Sequence, residues 1–304
     1  MYSLSSCWNS HRHTDGRAML REIRDLGFEY AELSHGIRIS LLPGIFEAVD
    51  AGEMKISSVH NFCPLPMGVD RPAPNIYKFS ADDRRERESA LKHTLKTLDT
   101  AVRVGAKLVV LHTGAVDMKD YTDRLIDMVG EKQRGTPKYD KLCAEAREKR
   151  ESKKARAYEN ALESIRKIVD EAKPRSLKLG IENREALEEI PFESDYKWFL
   201  NELRDPTVVY WHDTGHAQIK ENLGFISHRQ FLEERSDRLY GFHVHDVEFP
   251  GRDHRPPGNG CIDWAALQPL VKPEHLKVLE LSPSLSPADA RRGAEFIWSA
   301  WGRD

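Results

Sequence analysis

Two hydrophobic patterns take turns along this chain. Short, nearly continuous apolar runs lie at 2–8, 28–34, 55–62, 107–111, 178–181, 207–211, 239–244 and 276–279. Runs of that length, rich in Val, Ile, Leu and aromatic residues, read as strands buried on both faces. Between them, apolar positions recur every three or four residues, the period of a helix with one face inward. Met19, Ile23 and Leu26 share such a face behind a candidate N-cap at Asp15, and Gly27 stops the helix. A short helix is expected at 41–51. Another carries Leu91, Thr94, Leu95, Leu98 and Val102 up to Gly105, and a third carries Ala161, Leu162, Ile165, Ile168 and Val169 up to Pro174. Helices are also expected at 195–203, at 225–234, and from a cap at Asp263 through Leu267 until Pro269. Ser286 and Asp289 form a capping-box pattern that opens a last helix with Phe296 and Ile297.

Parallel strands require crossover helices, and eight strand–helix units close most simply into a (β/α)8 TIM barrel. The expected architecture is one α/β domain over 1–304. A doubly wound open sheet is the alternative, but no Gly-x-Gly-x-x-Gly follows the first strand. Two stretches break the rhythm. Residues 63–80 are Pro-rich and read as a long loop. Residues 115–157 form a charged insertion after the fourth strand. Its part from 145 to 156 mixes six basic with three acidic residues, which reads as a solvated helix, with a lid or a subunit contact as alternatives.

The strand ends carry the chemistry. In a barrel all C-terminal ends surround one mouth. Here they bring His60, His112, Glu182, Asp213, His245 and Glu280, with His216 just beyond Asp213 across a Thr-Gly pair that reads as a tight turn into a loop. Taken singly, each has a plainer explanation. His60 or His112 could be hydrogen-bonded barrel histidines, Arg184 could neutralise Glu182, and Asp213 could cap a turn. Glu32, inside the second strand, could pair with Arg38 and stays outside the core set. Together, carboxylates and imidazoles without thiolate suit one divalent cation: Mn²⁺, Mg²⁺, Co²⁺ or Zn²⁺. His243 and His245 point the same way on alternating geometry. His245, nearer the mouth, is the expected ligand, and His243 the expected support or substrate contact. The Gly-rich segment 251–264 lies at the same rim, where Arg252, His254 and Arg255 suit an oxygen-rich ligand.

Charge and composition narrow the choice further. With 46 basic and 49 acidic residues the formal net charge is −3, so nothing calls for nucleic acid. The four cysteines are scattered without a Cys-x-x-Cys pair, and no apolar run is long enough for a membrane span or a secretory leader. A cytoplasmic enzyme without a membrane partner is expected, with a homo-oligomer open.

The segments Ile181-Glu-Asn-Arg184, His212-Asp-Thr-Gly-His216, His243-Val-His-Asp246, Pro256-Pro-Gly-Asn-Gly-Cys-Ile-Asp-Trp264 and Leu279-Glu-Leu281 resemble the xylose-isomerase-like TIM-barrel superfamily, in its sugar phosphate isomerase/epimerase branch. The resemblance implies that Glu182, Asp213, His245 and Glu280 bind one divalent metal, and that His216 and an arginine near 252 meet the substrate. The same superfamily holds three-zinc apurinic endonucleases, whose further histidines match His60, His112, His216 and His254. Those enzymes have an acid two residues before the last histidine, where this chain has Arg252.

The expected activity is a metal-dependent isomerase or epimerase of a sugar, keto-sugar or polyol. Glu182 and Glu280 would move a proton through an enediolate, His216 would polarise the carbonyl, and His60, His112, His243, Arg252 and His254 would face the substrate. A lyase dehydrating a keto-polyol needs the same proton abstraction, and a multi-zinc phosphodiesterase is the alternative from a different class.

Overall fold

All eight apolar runs become parallel strands of one closed barrel in the computed structural model, which describes residues 1–303. Seven strands come first: β1 (Tyr2–Ser5), β2 (Tyr30–Leu33), β3 (Lys55–His60), β4 (Leu108–Leu111), β5 (Lys178–Glu182), β6 (Val208–Asp213) and β7 (Leu239–Val244). A small antiparallel ribbon follows, β8 (Asp246–Glu248) with β9 (Arg252–Arg255). The last barrel strand is β10 (Leu276–Leu279), which closes between β7 and β1. The outer helices are α1 (Gly16–Asp25), α2 (Leu42–Asp50), α3 (Arg84–Arg103), α4 (Thr122–Gly130), α5 (Pro137–Ala172), α6 (Tyr196–Glu202), α7 (Thr214–Asn222), α8 (His228–Glu233), α9 (Trp264–Leu267) and α10 (Pro287–Trp301).

Alternation along each strand separates two cores. Val109, Leu111, Leu179, Ile181, Tyr210, Phe242, Val244 and Leu279 face outward into the layer beneath the helices. Leu108, Val110, Val209, Trp211, Leu276 and Val278 fill the barrel's interior. Trp211 is the largest of these, and its flanking strands make room for it. A Cβ on Gly241 would lie 2.5 Å from the indole, and one on Gly180 would lie 3.2 Å from Trp211 Cβ. The next inward position after this plug on β6, β10 and β4 is Asp213, Glu280 and His112. Barrel packing therefore ends where the ionisable layer begins.

The caps at Asp15, Asp263 and Ser286 form as expected, the last with both bonds of a capping box. Three sequence expectations are corrected. The first strand stops at Ser5, whose Oγ accepts from Cys7 N–H and turns the chain into a 3₁₀ turn over Ser6–Trp8. Residues 115–157 are not set apart from the following helix. They hold α4 and the first part of α5, which runs unbroken through 36 residues. Their charged part is helical and mostly exposed, as expected, with two inward positions. Ala146 and Arg150 are buried, and Arg150 reaches Asp195 at 3.0 Å and the Tyr158 hydroxyl at 2.8 Å. Tyr121, Leu125, Tyr139 and Leu142 from this insertion pack with Leu187, Ile219, Leu223 and Val247 in a second core beside the mouth. Lastly, Thr214 and Gly215 are no loop but the first turn of α7, and the rim segment after β7 contains the ribbon β8–β9.

No helix is long and apolar enough to cross a membrane among the described residues.

Candidate metal and active site

Above the Trp211 plug, four side chains bring one ligand atom each to within 4.8 Å of one another: Glu182, Asp213, His243 and Glu280, all buried. His243 Nδ1 is the hub, 2.8 Å from Glu182 Oε1, 3.1 Å from Glu280 Oε2 and 3.8 Å from Asp213 Oδ2. Its other nitrogen, Nε2, lies 3.2 Å from both oxygens of Glu32. Glu32 is itself held by the hydroxyls of Ser5 at 3.0 Å and Ser58 at 2.8 Å. Its expected partner Arg38 instead donates to the carbonyls of Ser10 and His13. Burial opposes charge on His243, but Glu280, Glu32 and Glu182 outweigh it and raise its pKa well above the ordinary value. Its two ring nitrogens thus face carboxylates on both sides.

Burial likewise opposes ionisation of Glu182, yet His243 and Arg184 hold it well below the usual carboxylate range. Arg184 Nη1 donates to Glu182 Oε2 at 3.0 Å and to His112 Nε2 at 2.8 Å, while its Nε donates to Glu189. Glu189 is lowered to about 2, burial being overcome chiefly by Arg184. His112 gives its Nδ1–H to Asn75 Oδ1, and burial with Arg184 nearby pushes its pKa down to about 3. His60 gives Nδ1–H to the Asn61 carbonyl and turns Nε2 toward Glu182 at 3.6 Å.

Asp213 ends β6 and caps α7, its Oδ1 accepting His216 N–H at 2.7 Å. His216 gives Nδ1–H to the Asn183 carbonyl at 3.0 Å. His245 does not join the four-residue group. Its Nε2 is 3.0 Å from Asp213 Oδ2 and its Nδ1 accepts the backbone N–H of His254 at 2.9 Å. His254 stacks on His245 with centroids 4.3 Å apart. Its Nδ1 lies 3.0 Å from Asp253 and its Nε2 3.8 Å from Glu280. Burial disfavours its charge, but Asp253 and Glu280 raise its pKa to about 10.

These groups line an open cavity of about 550 Å³, with His60, His112, Glu182, His216, His254 and Glu280 on its wall. Arg252 stands at the rim, 68% exposed and 3.6 Å from Glu248. The sequence reading passed over three further wall or support residues. Glu185 converges with His216 and Asp253. His35 lines the cavity with a buried Nδ1 that has no partner. Asn183 clamps Asp213 by bonds to its backbone N–H and carbonyl at 2.7 and 2.9 Å. Only the position of Asn183 beside Glu182 could have hinted at it.

A family model described as xylose isomerase-like TIM barrel matches residues 20–297. The chain belongs to that family. Solved structures agree on the fold. A D-tagatose 3-epimerase-like protein superposes with a TM-score of 0.69 at 16% identity, over 98% of this chain and 96% of the other. A 3-keto-D-glucoside 4-epimerase from E. coli gives 0.68 at 14% identity, over 98% of both chains. An IolI protein with a bound zinc atom gives 0.67 at 14%, over 99% and 97%. A search of curated proteins finds no match. This family member is therefore a xylose isomerase-like TIM barrel with a buried His/Glu/Asp cluster of metal-site character.

Proposed function

We propose that this protein is a divalent-metal-dependent epimerase or isomerase of a keto-sugar or related polyol. The observation that carries the reading is the convergence of Glu182, Asp213, His243 and Glu280, with Glu182 and Glu280 on the cavity wall and Asp213 and His243 buried behind them. Three carboxylates and one imidazole without thiolate match Mn²⁺, Mg²⁺, Co²⁺ or Zn²⁺. The fit goes beyond donor type. A metal-binding histidine commonly donates its other N–H to a carboxylate, and Glu32 accepts from His243 Nε2 in that way, leaving Nδ1 to ligate. His243 therefore stands in the four-residue group where His245 was expected, while His245 converges instead with Asp213 and His216 and with His254 and Glu280.

When bound, such a metal supplies positive charge to adjacent substrate oxygens and so lowers the cost of negative charge on them. The chain's own residues do the rest. Glu182 and Glu280 come from strands separated by β6 and β7 and meet at His243 from different sides. A substrate carbon between them has a carboxylate on either face, so one removes the proton beside the carbonyl and the other returns it. His243 and Arg184 keep the charge on Glu182. His216, with Nδ1–H committed to Asn183, offers Nε2 to a substrate hydroxyl and polarises a carbonyl only as imidazolium. His60, His112 and His254 bound the substrate space, and Arg252 closes its rim.

The phosphodiesterase alternative needs further cations around Glu182. Arg184 already bridges Glu182 and His112 there, which favours a single metal. The test is proton exchange. Mn²⁺-loaded protein is incubated in D₂O with a panel of ketopentoses, ketohexoses and keto-glycosides and followed by NMR. Chelator-sensitive exchange beside the carbonyl, lost in Glu280→Gln, supports the proposal. Three metals per chain with nicking of abasic DNA and no exchange overturns it.

A further inference from the structure

We infer that His245 is a positioning residue for Asp213, and that the Asp213-Thr-Gly-His216 turn is built to clamp it. The inference rests on the reading above that Asp213 binds the cation. Each residue of the turn has a separate task. Thr214 Oγ donates to the His245 carbonyl at 2.8 Å and accepts the His245 N–H at 3.1 Å, which fastens the end of β7 to the first turn of α7. Gly215 leaves the space that the imidazole fills: a Cβ there would lie 2.0 Å from His245 Cε1 and 2.4 Å from Nδ1. His216 caps Asp213 Oδ1 through its backbone.

The fourth contact sets the proton. His254 has φ 53°, a left-handed backbone uncommon for a non-glycine residue, and that bend aims its N–H at His245 Nδ1. A backbone N–H can only donate, so Nδ1 accepts, and the neutral ring carries its hydrogen on Nε2, facing Asp213 Oδ2 at 3.0 Å. Asp213 is then held at Oδ1 by a backbone N–H and at Oδ2 by an imidazole N–H. Its Oδ2 also lies 3.8 Å from His243 Nδ1 and 3.5 Å from His216 Nδ1. The chain from the ribbon β8–β9 to the cation site runs His254 N–H, His245, Asp213.

The experiment titrates metal-free, full-length protein with Mn²⁺ at one pH, reading free Mn²⁺ by EPR and bound nitrogen ligands by pulsed EPR. His245→Ala and Gly215→Ala are each expected to weaken Mn²⁺ binding by about 10- to 100-fold. Gly215→Ala leaves every polar group in place and displaces only the ring. His245→Gln keeps an N–H donor within reach of Asp213 and is expected to stay within about threefold of wild type, and the ¹⁴N coupling of bound Mn²⁺ persists in His245→Ala but disappears in His243→Ala. Loss of the coupling in His245→Ala, or affinity in His245→Gln as poor as in His245→Ala, makes His245 a ligand and overturns the inference. Unchanged affinity in both His245→Ala and Gly215→Ala also overturns it. Asp213→Asn separates the two claims: unchanged Mn²⁺ binding there sinks the metal assignment, whereas lost binding there with normal His245→Ala sinks the positioning role alone.

Discussion

Replacing Glu32 with glutamine tests the idea that His243 is oriented from behind. Glu32 sits fully buried on β2, with each oxygen 3.2 Å from His243 Nε2 and each also bonded to a serine hydroxyl. Glu32→Gln keeps the shape, removes the charge and turns one acceptor into an NH₂ group. Only one uncharged oxygen then remains to accept the imidazole N–H, so the tautomer with Nδ1 free is held less firmly. Removing such a partner weakens metal binding by about 10- to 100-fold, or about 1.4–2.7 kcal/mol. At saturating metal the same energy is lost from the metal-dependent part of stability. The metal-free fold suffers less, because Glu182, Glu280 and Asp213 still face His243 Nδ1. Isothermal titration with Mn²⁺ and thermal melts with and without chelator measure both quantities. A dissociation constant within twofold of wild type would refute the reasoning, as would a loss of stability equal in the two melts.

Two further perturbations probe the scaffold. Gly241→Ala drives a methyl to 2.5 Å from the Trp211 indole and 2.6 Å from the Leu276 carbonyl, so urea unfolding should show a loss of about 1–3 kcal/mol; wild-type stability would mean the barrel interior yields more easily than its packing indicates. Behind β6, Gln218 accepts His228 Nδ1–H, His228 Nε2 faces His212 Nε2, and His212 Nδ1 faces the Tyr210 hydroxyl. Burial lowers the His228 pKa from 6.5 to about 4. The unfolded chain therefore binds the proton first as pH falls. The stabilisation from neutral His228 is complete above pH 6.5 and is lost toward pH 4, on the order of 3 kcal/mol. Urea titrations across that window should show a flatter pH dependence for His228→Gln, and an unchanged slope would contradict the assignment.

The barrel was legible because eight short apolar runs alternate with helical periods, and six of the runs lead into a histidine or an acid. A buried strand has few other ways to release an ionisable group than at the barrel's mouth. What stayed hidden depends on the third dimension. Alternation shows that His243 and His245 face the same way, but not which lies level with Glu182 and Glu280. That height is set by strand tilt and by the pairing of Asp213 with His243 and of Val278 with His243. Glu32 gave no sign of its role, because its partner is 211 residues away. Thr214-Gly215 reads locally as a turn, yet Asp213 caps a helix that begins at once, with the glycine serving a packed imidazole instead of a bend. The charged insertion hid its continuity with α5 for a similar reason. Its buried positions, Tyr139, Leu142 and Ala146, keep helical spacing but sit among lysines and arginines, and their partners lie in α4, α7, β8 and at Leu187.

The cation's position decides between these assignments, and anomalous diffraction from a crystal soaked in Mn²⁺ or Zn²⁺ measures it directly. One peak per chain is predicted, bounded by Glu182, Asp213, His243 Nδ1 and Glu280, with His245 outside the coordination sphere and still bonded to Asp213. A peak on His245 in place of His243, a set of peaks reaching His60, His216 and Asp253, or no peak at all would contradict it.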